Sequence, residues 1–198
     1  MLTFKRMALG DYQTNCYIIY NENSPTCVVL DPGYEPERVL AAVNGLGKAV
    51  EAILLTHGHF DHVGGVKAIA EATHCRVYLH ENDLSLPPYY TGDPLYYTDN
   101  YADGDILELA GLQIKVLHTP GHTPGSVCLV CEDVIFSGDT LFAGTCGRTD
   151  LPGSSPAQMK QSLARLKALE GDYRVLPGHG HESTLEEERM YNPYMQGL

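Results

Sequence analysis

Leu54-Leu55-Thr56-His57-Gly58-His59-Phe60-Asp61-His62-Val63-Gly64-Gly65 places three imidazoles and a carboxylate within six positions, directly after an apolar run. Residues 52–55 read as a buried strand, so the polar residues that follow lie on the turn at its carboxyl end, where open α/β sheets keep their sites. Such a cluster repels itself on protonation and has no packing use, whereas a divalent cation satisfies every member at once. His57 and His59, one residue apart, point the same way if the backbone is extended and suit one metal. Asp61 and His62 lie beyond the turn, near the helix opened by Val63-Gly64-Gly65-Val66, and face a second. Two ions about 3.5–4 Å apart need about six to eight ligands, which the rest of the chain must supply.

Three further junctions supply them, each after a short apolar segment. Lys115-Val116-Leu117-His118-Thr119-Pro120-Gly121-His122-Thr123-Pro124-Gly125-Ser126 sets two histidines in a Gly/Pro loop. Val134-Ile135-Phe136-Ser137-Gly138-Asp139-Thr140 delivers an aspartate, and Val175-Leu176-Pro177-Gly178-His179-Gly180-His181 repeats the form. In this order the motifs T-H-x-H-x-D-H, G-H-T, G-D and G-H span nearly the whole chain, which thereby resembles the metallo-β-lactamase superfamily. The resemblance implies an α/β fold, the αβ/βα four-layer sandwich, with metals at one edge between two sheets. It implies His57, His59 and His122 at the first metal, Asp61, His62 and His179 at the second, and Asp139 bridging, as a carboxylate with two oxygens can. The cysteine ligand of some lactam-hydrolysing members has no counterpart here. His74, His80, His118 and His181 read as surface or supporting residues, with His118 the best candidate to orient a ligand because it shares a loop with His122.

The composition fits a single domain over residues 1–198, long enough for one large core. Net charge −12 opposes phosphate backbones, so a small-molecule substrate is expected and nucleic acid is not. No apolar stretch has membrane-spanning length, and residues 1–6 lead into no signal-type apolar run; a soluble, cytoplasmic protein is expected, with its oligomeric state open. The six cysteines have no framework spacing and read as reduced core residues, Cys128-Leu129-Val130-Cys131 and Cys146 included.

Strands are expected at 4–9, 15–20, 27–30, 52–55, 76–79, 106–109, 113–117, 126–130, 134–136 and 174–176. Helices are expected at 35–46 and 63–72, and behind the capping patterns Ser155-Pro156-Ala157-Gln158 and Thr184-Leu185-Glu186-Glu187. Residues 87–101 hold five tyrosines among Pro and Gly and read as a loop that covers a site or meets another subunit.

Two cations bring the pKa of a bound water towards about 7, so hydroxide is at hand to attack a carbonyl that a metal polarises. The Gly-x-Ser-x-Gly elbow of serine hydrolases is absent. Metal-assisted hydrolysis of an activated acyl such as a thioester follows, with Asp61 and Asp139 as the catalytic carboxylates. Zinc is the default ion, with iron and manganese compatible. Gly147-Arg148-Thr149-Asp150-Leu151-Pro152-Gly153, Pro177-Gly178-His179-Gly180 and Asn192-Pro193-Tyr194 resemble the short group related to hydroxyacylglutathione hydrolase (glyoxalase II), which implies S-lactoylglutathione-type substrates. Arg148 stands where the larger glyoxalase II enzymes carry a basic residue after Cys-Gly, and the resemblance implies that it pairs with a substrate carboxylate. Thr149-Asp150 and Ser183 depart from the pattern, and the helical domain that helps hold glutathione is missing. The alternative from another class is a persulfide dioxygenase holding one iron through His57, His122 and Asp139; lactonase or β-lactamase activity shares the hydrolytic chemistry.

Overall fold

The computed structural model describes residues 1–92 and 94–198. Its first sheet runs in spatial order β1 (Leu2–Leu9), β2 (Thr14–Asn21), β3 (Thr26–Leu30), β4 (Ala49–Leu54), β5 (Arg76–Leu79) and β6 (Asp99–Asn100). β1 to β3 form an antiparallel meander, and β3 to β6 are parallel, joined by crossovers. The crossovers carry α1 (Pro36–Gly45) between β3 and β4, and α2 (Phe60–Val63) with α3 (Val66–Thr73) between β4 and β5. A 3₁₀ turn (Glu81–Ser85) and α4 (Pro88–Thr91) lie between β5 and β6.

The second sheet contains β7 (Ile106–Leu109), β8 (Leu112–His118), β9 (Val127–Cys131) and β10 (Val134–Gly138) as an antiparallel run. After the small hairpin β11 (Leu141–Phe142) and β12 (Thr145–Cys146), α5 (Pro156–Lys167) returns the chain so that β13 (Arg174–Pro177) pairs parallel with β10. β14 (Ser183–Thr184), α6 (Leu185–Tyr191) and α7 (Pro193–Gln196) complete the fold.

Strand alternation sorts the apolar residues into three layers. Tyr17 and Ile19 of β2 face Ile114, Leu129 and Phe136 of the other sheet, whereas Cys16 and Ile18 turn to Val39 of α1 and Ile69 of α3. The far face of the second sheet, with Ile135 and Val175, packs on Met159, Leu163 and Leu166 of α5. Helix, sheet, sheet and helix therefore stack as the expected four-layer sandwich, and strands buried on both faces read as unbroken apolar runs. Cys128 and Cys131 point to opposite faces of β9, one into each layer, so the C-x-x-C spacing brings no thiol pair together. Among the described residues no helix is long and apolar enough to cross a membrane.

The helix expected at 63–72 is interrupted. Asp61 and His62 occupy their own turn, α2, and α3 starts only at Val66. Gly64 and Gly65 pass so close to the 32–33 backbone that an added Cβ would sit 2.4 Å from the Gly33 carbonyl oxygen and 2.6 Å from that of Pro32. Gly65 also donates its N–H to the Pro32 carbonyl at 2.8 Å, so the 31–34 loop fixes the break. Both expected helix caps are present: Ser155 accepts from the Gln158 amide, and Thr184 with Glu187 forms a reciprocal box.

Phe136 fills the space between the sheets, edge-on to Tyr17 at 5.2 Å and to Phe4 at 6.3 Å. Phe136→Ala should cost about 3–5 kcal/mol in chemical denaturation; a loss below about 1 kcal/mol would show that the inter-sheet layer collapses into the space.

Candidate metal centre

Four loops at the carboxyl ends of parallel or central strands meet at one edge of the sandwich. β4 leads into His57 and His59 and then α2; β8 leads to His122, β10 to Asp139 and β13 to His179. All seven predicted ligands come together here. His57, His59 and His122 form one group, Asp61, His62 and His179 another, and His57, His62 and Asp139 a third between them, the donor atoms of each group lying within 4.8 Å of one another.

Around a tetrahedral zinc with bonds of about 2.0–2.1 Å, neighbouring donor atoms stand about 3.3 Å apart. His62 Nε2 lies 3.3 Å from His179 Nε2, 3.6 Å from Asp61 Oδ2 and 3.5 Å from Asp139 Oδ1. His122 Nε2 lies 3.5 Å from Asp139 Oδ2 and 2.9 Å from His59 Nδ1. His57 Nε2 and Asp139 Oδ1 are buried without a hydrogen-bond partner, a costly state for polar atoms unless a cation accepts their lone pairs. The donor set therefore fits a pair of divalent ions, with Asp139 between the halves: Oδ1 beside His62, and Oδ2 3.5 Å from His122 Nε2 and 3.6 Å from His179 Nε2.

Four of the five imidazoles, His59 excepted, are held from behind, which decides the nitrogen each offers. His62 Nδ1–H donates to Asp31 Oδ2 at 3.0 Å, His122 Nδ1–H to the Arg148 carbonyl at 2.9 Å, and His179 Nδ1–H to the Tyr12 carbonyl at 3.2 Å. His57 Nδ1–H meets the Thr56 hydroxyl at 3.2 Å, and that hydroxyl donates to Asp31 Oδ2 at 2.6 Å. Asp31 also accepts from the Thr56 amide at 2.7 Å, so one buried carboxylate orients a ligand from each half. His118, expected to orient a ligand, instead stacks on His80 at 4.1 Å and pairs with the Pro124 carbonyl. His80 is buried and caps the 3₁₀ turn, His74 closes α3 in a left-handed conformation, and His181 is exposed. None of the four belongs to the cluster.

Other residues with a part in the site were not visible in its motifs. Asp83, fully buried, accepts from the Gly58 amide at 2.8 Å, the Thr123 hydroxyl at 2.9 Å and the Gly125 amide at 2.6 Å, tying the two loops that carry His57, His59 and His122. The Thr14 hydroxyl donates to Asp61, and Asn15 holds the Pro177 and Gly180 carbonyls on either side of His179. Gly178 lets that loop pass; a Cβ there would lie 2.3 Å from Asp139 Oδ1. The signal for Asp31 was present: Leu30-Asp31-Pro32-Gly33 is one more apolar strand ending in a polar residue at the same edge.

Electrostatics differ between the halves. Burial, reinforced by the facing imidazoles, holds His57 well below the usual histidine range and brings His59 down to about 4. Burial opposes charge on His62 too, yet Asp139, Asp31 and Asp61 outweigh it and lift the group to about 10; Asp61 and Asp139 likewise raise His179 against its burial. Asp61 is held well below the usual carboxylate range, as its bond to His179 and the nearby His62 overcome burial.

The ligands floor a cleft of about 700 Å³ whose walls include Tyr12, Phe60, Tyr89, Tyr90, Phe142 and Cys146. Two residues of the tyrosine-rich segment thus reach the site, as a cover requires, whereas its Tyr101 is a core residue bonded to the Leu55 carbonyl. Asp93 of that segment lies outside the described residues. Cys146 packs against the α5 layer as expected and also faces the cleft. The Arg148 side chain lines the cleft, but its guanidinium fork is filled by Asp150, at 2.7 and 2.8 Å, and its carbonyl is the atom that touches a ligand.

Residues 9–179 match the metallo-beta-lactamase superfamily. A hydroxyacylglutathione hydrolase, GloC, of Haemophilus influenzae is 32% identical over 93% of this chain and 93% of its own. Among solved structures, BLEG-1 B3 metallo-beta-lactamase superposes with a TM-score of 0.90 at 35% identity, over 98% of this chain and 100% of that one. The di-iron-bound form of TTHA1623 gives 0.83 at 41%, over 96% and 99%. ETHE1 from Myxococcus xanthus gives 0.86 at 29%, over 98% and 85%.

Two outcomes follow from the geometry. In Asp31→Asn an amide N–H₂ faces His62 Nδ1 and favours the tautomer that protonates Nε2, so metal affinity should fall about 10- to 100-fold in a chelator competition; unchanged affinity would remove Asp31 from the role. His62 must shed a proton that its carboxylates hold up to about 10, whereas His57 and His59 are already neutral. Between pH 6 and 8 affinity for the second ion should therefore rise more steeply than that for the first, by up to about tenfold per unit for each proton that His62 and His179 must shed. Parallel pH dependences would contradict this division.

Proposed function

The chain belongs to the metallo-β-lactamase superfamily, and from that premise we propose that it is a binuclear metallohydrolase of acyl thioesters, with a small-molecule substrate of the S-lactoylglutathione type. The observation that carries the reading is the complete second donor set, Asp61, His62 and His179, beside the first. A mononuclear centre has no need of it. Divalent ions at such a site supply a water acidified towards neutrality and a Lewis acid for the carbonyl oxygen. Zinc serves that chemistry without redox change; the di-iron form of TTHA1623 makes iron a second candidate.

The chain's own groups do the rest. Asp61 Oδ2 accepts from the Thr14 hydroxyl and faces the donor atoms of His62 and His179, which leaves Oδ1 to orient the attacking water and take its proton. Asp139 fixes the spacing of the two halves by standing between them, its Oδ2 within reach of both His122 and His179. Thr56 and Asp31 keep His57 and His62 in the tautomers that present Nε2. The net charge of −12 opposes the approach of nucleic acid.

The second reading is the persulfide dioxygenase drawn above, kept in view by the likeness to ETHE1 from Myxococcus xanthus. It would use one iron on His57, His122 and Asp139 and leave Asp61, His62 and His179 without a catalytic task.

The zinc-loaded protein should release thiol from S-lactoylglutathione and from simpler acyl thioesters, with two metal equivalents per chain. The iron-loaded protein should consume no oxygen with glutathione persulfide. Steady persulfide-dependent oxygen uptake without thiol release from any thioester would reverse the assignment. Asp139→Ala should lower thiol release by at least about a hundredfold and lose metal from both halves. Retention of one tightly bound equivalent would sink the bridging role.

A further inference from the structure

The cleft above the centre is walled by aromatic rings that the chemistry at its floor does not use. Tyr90 stands over His59, centroids 6.2 Å apart, on the first half of the site, and Phe142 stands edge-on to His179 at 6.3 Å on the second. Phe60, between the halves, carries Tyr12 edge-on at 5.3 Å, and Tyr89 lies edge-on to Tyr90 at 5.2 Å. Tyr12 is 59% and Tyr89 86% exposed, although both belong to a concave wall directly over buried polar groups. Large apolar surface left uncovered in a concave site marks the place of a ligand's apolar part.

Charge points the same way. Arg148 is the one Lys or Arg among the described residues of the cleft wall, and Asp150 already fills its fork. Both side chains are more than half exposed, so exchanging Asp150 for a substrate carboxylate swaps one solvated ion pair for another with little net gain. No other wall cation remains to repay desolvation of an anionic arm, and the net charge of −12 opposes its approach.

We infer that the substrate's arm remote from the reacting carbonyl is an uncharged aromatic or bulky apolar group, seated between Tyr12 and Tyr90. The inference rests on the hydrolase reading only for the identity of the carbonyl; the seat itself is a binding property. Tyr90 and Tyr12 are then specificity-determining residues. Their side chains can be removed without touching the donor set, since Tyr12 supports His179 through its carbonyl alone.

The test separates the seat from the reaction. Binding of two non-hydrolysable thioethers of N-acetylcysteamine, S-phenethyl and S-ethyl, to the zinc-loaded protein is measured by calorimetry. The phenethyl compound should bind at least about tenfold more tightly, and Tyr12→Ala with Tyr90→Ala should reduce the ratio to about two or less while metal content stays unchanged. In turnover, phenylacetyl-N-acetylcysteamine should exceed acetyl-N-acetylcysteamine in kcat/KM by a similar factor, through KM, and the double variant should lose the preference without losing acetyl hydrolysis. Equal binding of the two thioethers to the wild-type protein, or a preference that survives both substitutions, overturns the inference. Selective thioether binding with no thiol release from any thioester upholds the seat and refutes the hydrolase reading instead. Faster turnover and tighter binding of the anionic glutathione thioester than of the phenylacetyl one would also overturn the inference, returning the specificity to Arg148.

Discussion

An imidazole can give a metal only one lone pair, and only if its other nitrogen carries the proton. Everything at the strand edge of this protein serves that constraint. Asp31, the Arg148 carbonyl and the Tyr12 carbonyl stand behind His62, His122 and His179, and the Thr56 hydroxyl stands behind His57. Remove an acceptor and the tautomer is free to reverse, which turns a donor nitrogen into an N–H aimed at the cation. The buried acceptors with no protein partner, His57 Nε2 and Asp139 Oδ1, are the other face of the same arrangement. Their desolvation is tolerable only because an ion repays it.

The sandwich supplies the acceptors because its parallel strands end together. β3 leads into Asp31, β4 into Thr56, β10 into Asp139 and β13 into His179, so four loops reach one edge with their backbones already fixed by two buried sheets. Asp83 extends this rigidity sideways. Its carboxylate gathers two amides and a hydroxyl from the 58 and 123–125 loops, and burial pushes it up against the hydrogen bonds that hold it ionised. A buried anion with three short donors and no cation is stable only while both loops keep their places, so it acts as a register lock on the first half of the site.

The ligands and the layers were legible in the sequence for one reason: each ligand directly follows an apolar run, and local periodicity is what a sequence displays. Every expected strand is present within a few residues, and the seven candidate ligands that the four motifs supply come together at one edge. What was not legible depends on partners 25 to 42 positions away. Asp31 and Asp83 are single aspartates whose roles exist only once Thr56, Gly58 and Gly125 have been folded beside them. The break between α2 and α3 is set by the 32–33 backbone lying against Gly64 and Gly65, not by any weakness in the 63–72 pattern. Tyr101 illustrates the converse. Composition placed it with the exposed tyrosines, whereas the pairing of Leu79 with Asn100 carries the next residue into the core.

The division between what is locked and what is open has a chemical consequence. The donor atoms are fixed by buried hydrogen bonds on the sheets, while the aromatic wall comes from the β1–β2 turn, α2, α4 and the β11–β12 hairpin, which make few such bonds. Changes in the wall therefore leave the floor intact: Tyr89 and Tyr90 touch no ligand-holding carboxylate, and Tyr12 touches His179 only through backbone. One metal floor can thus serve thioesters, lactones or lactams, since each presents the same electrophilic carbonyl, and discrimination falls to rings and charges several ångströms above it. In this chain that upper layer is aromatic and nearly neutral, with the Arg148 charge already cancelled at Asp150. Recognition by apolar contact is correspondingly tolerant: a methylene more or less in such a wall is worth only about 1–3 kcal/mol, so the chemistry at the floor is more sharply specified than the arm that the wall admits.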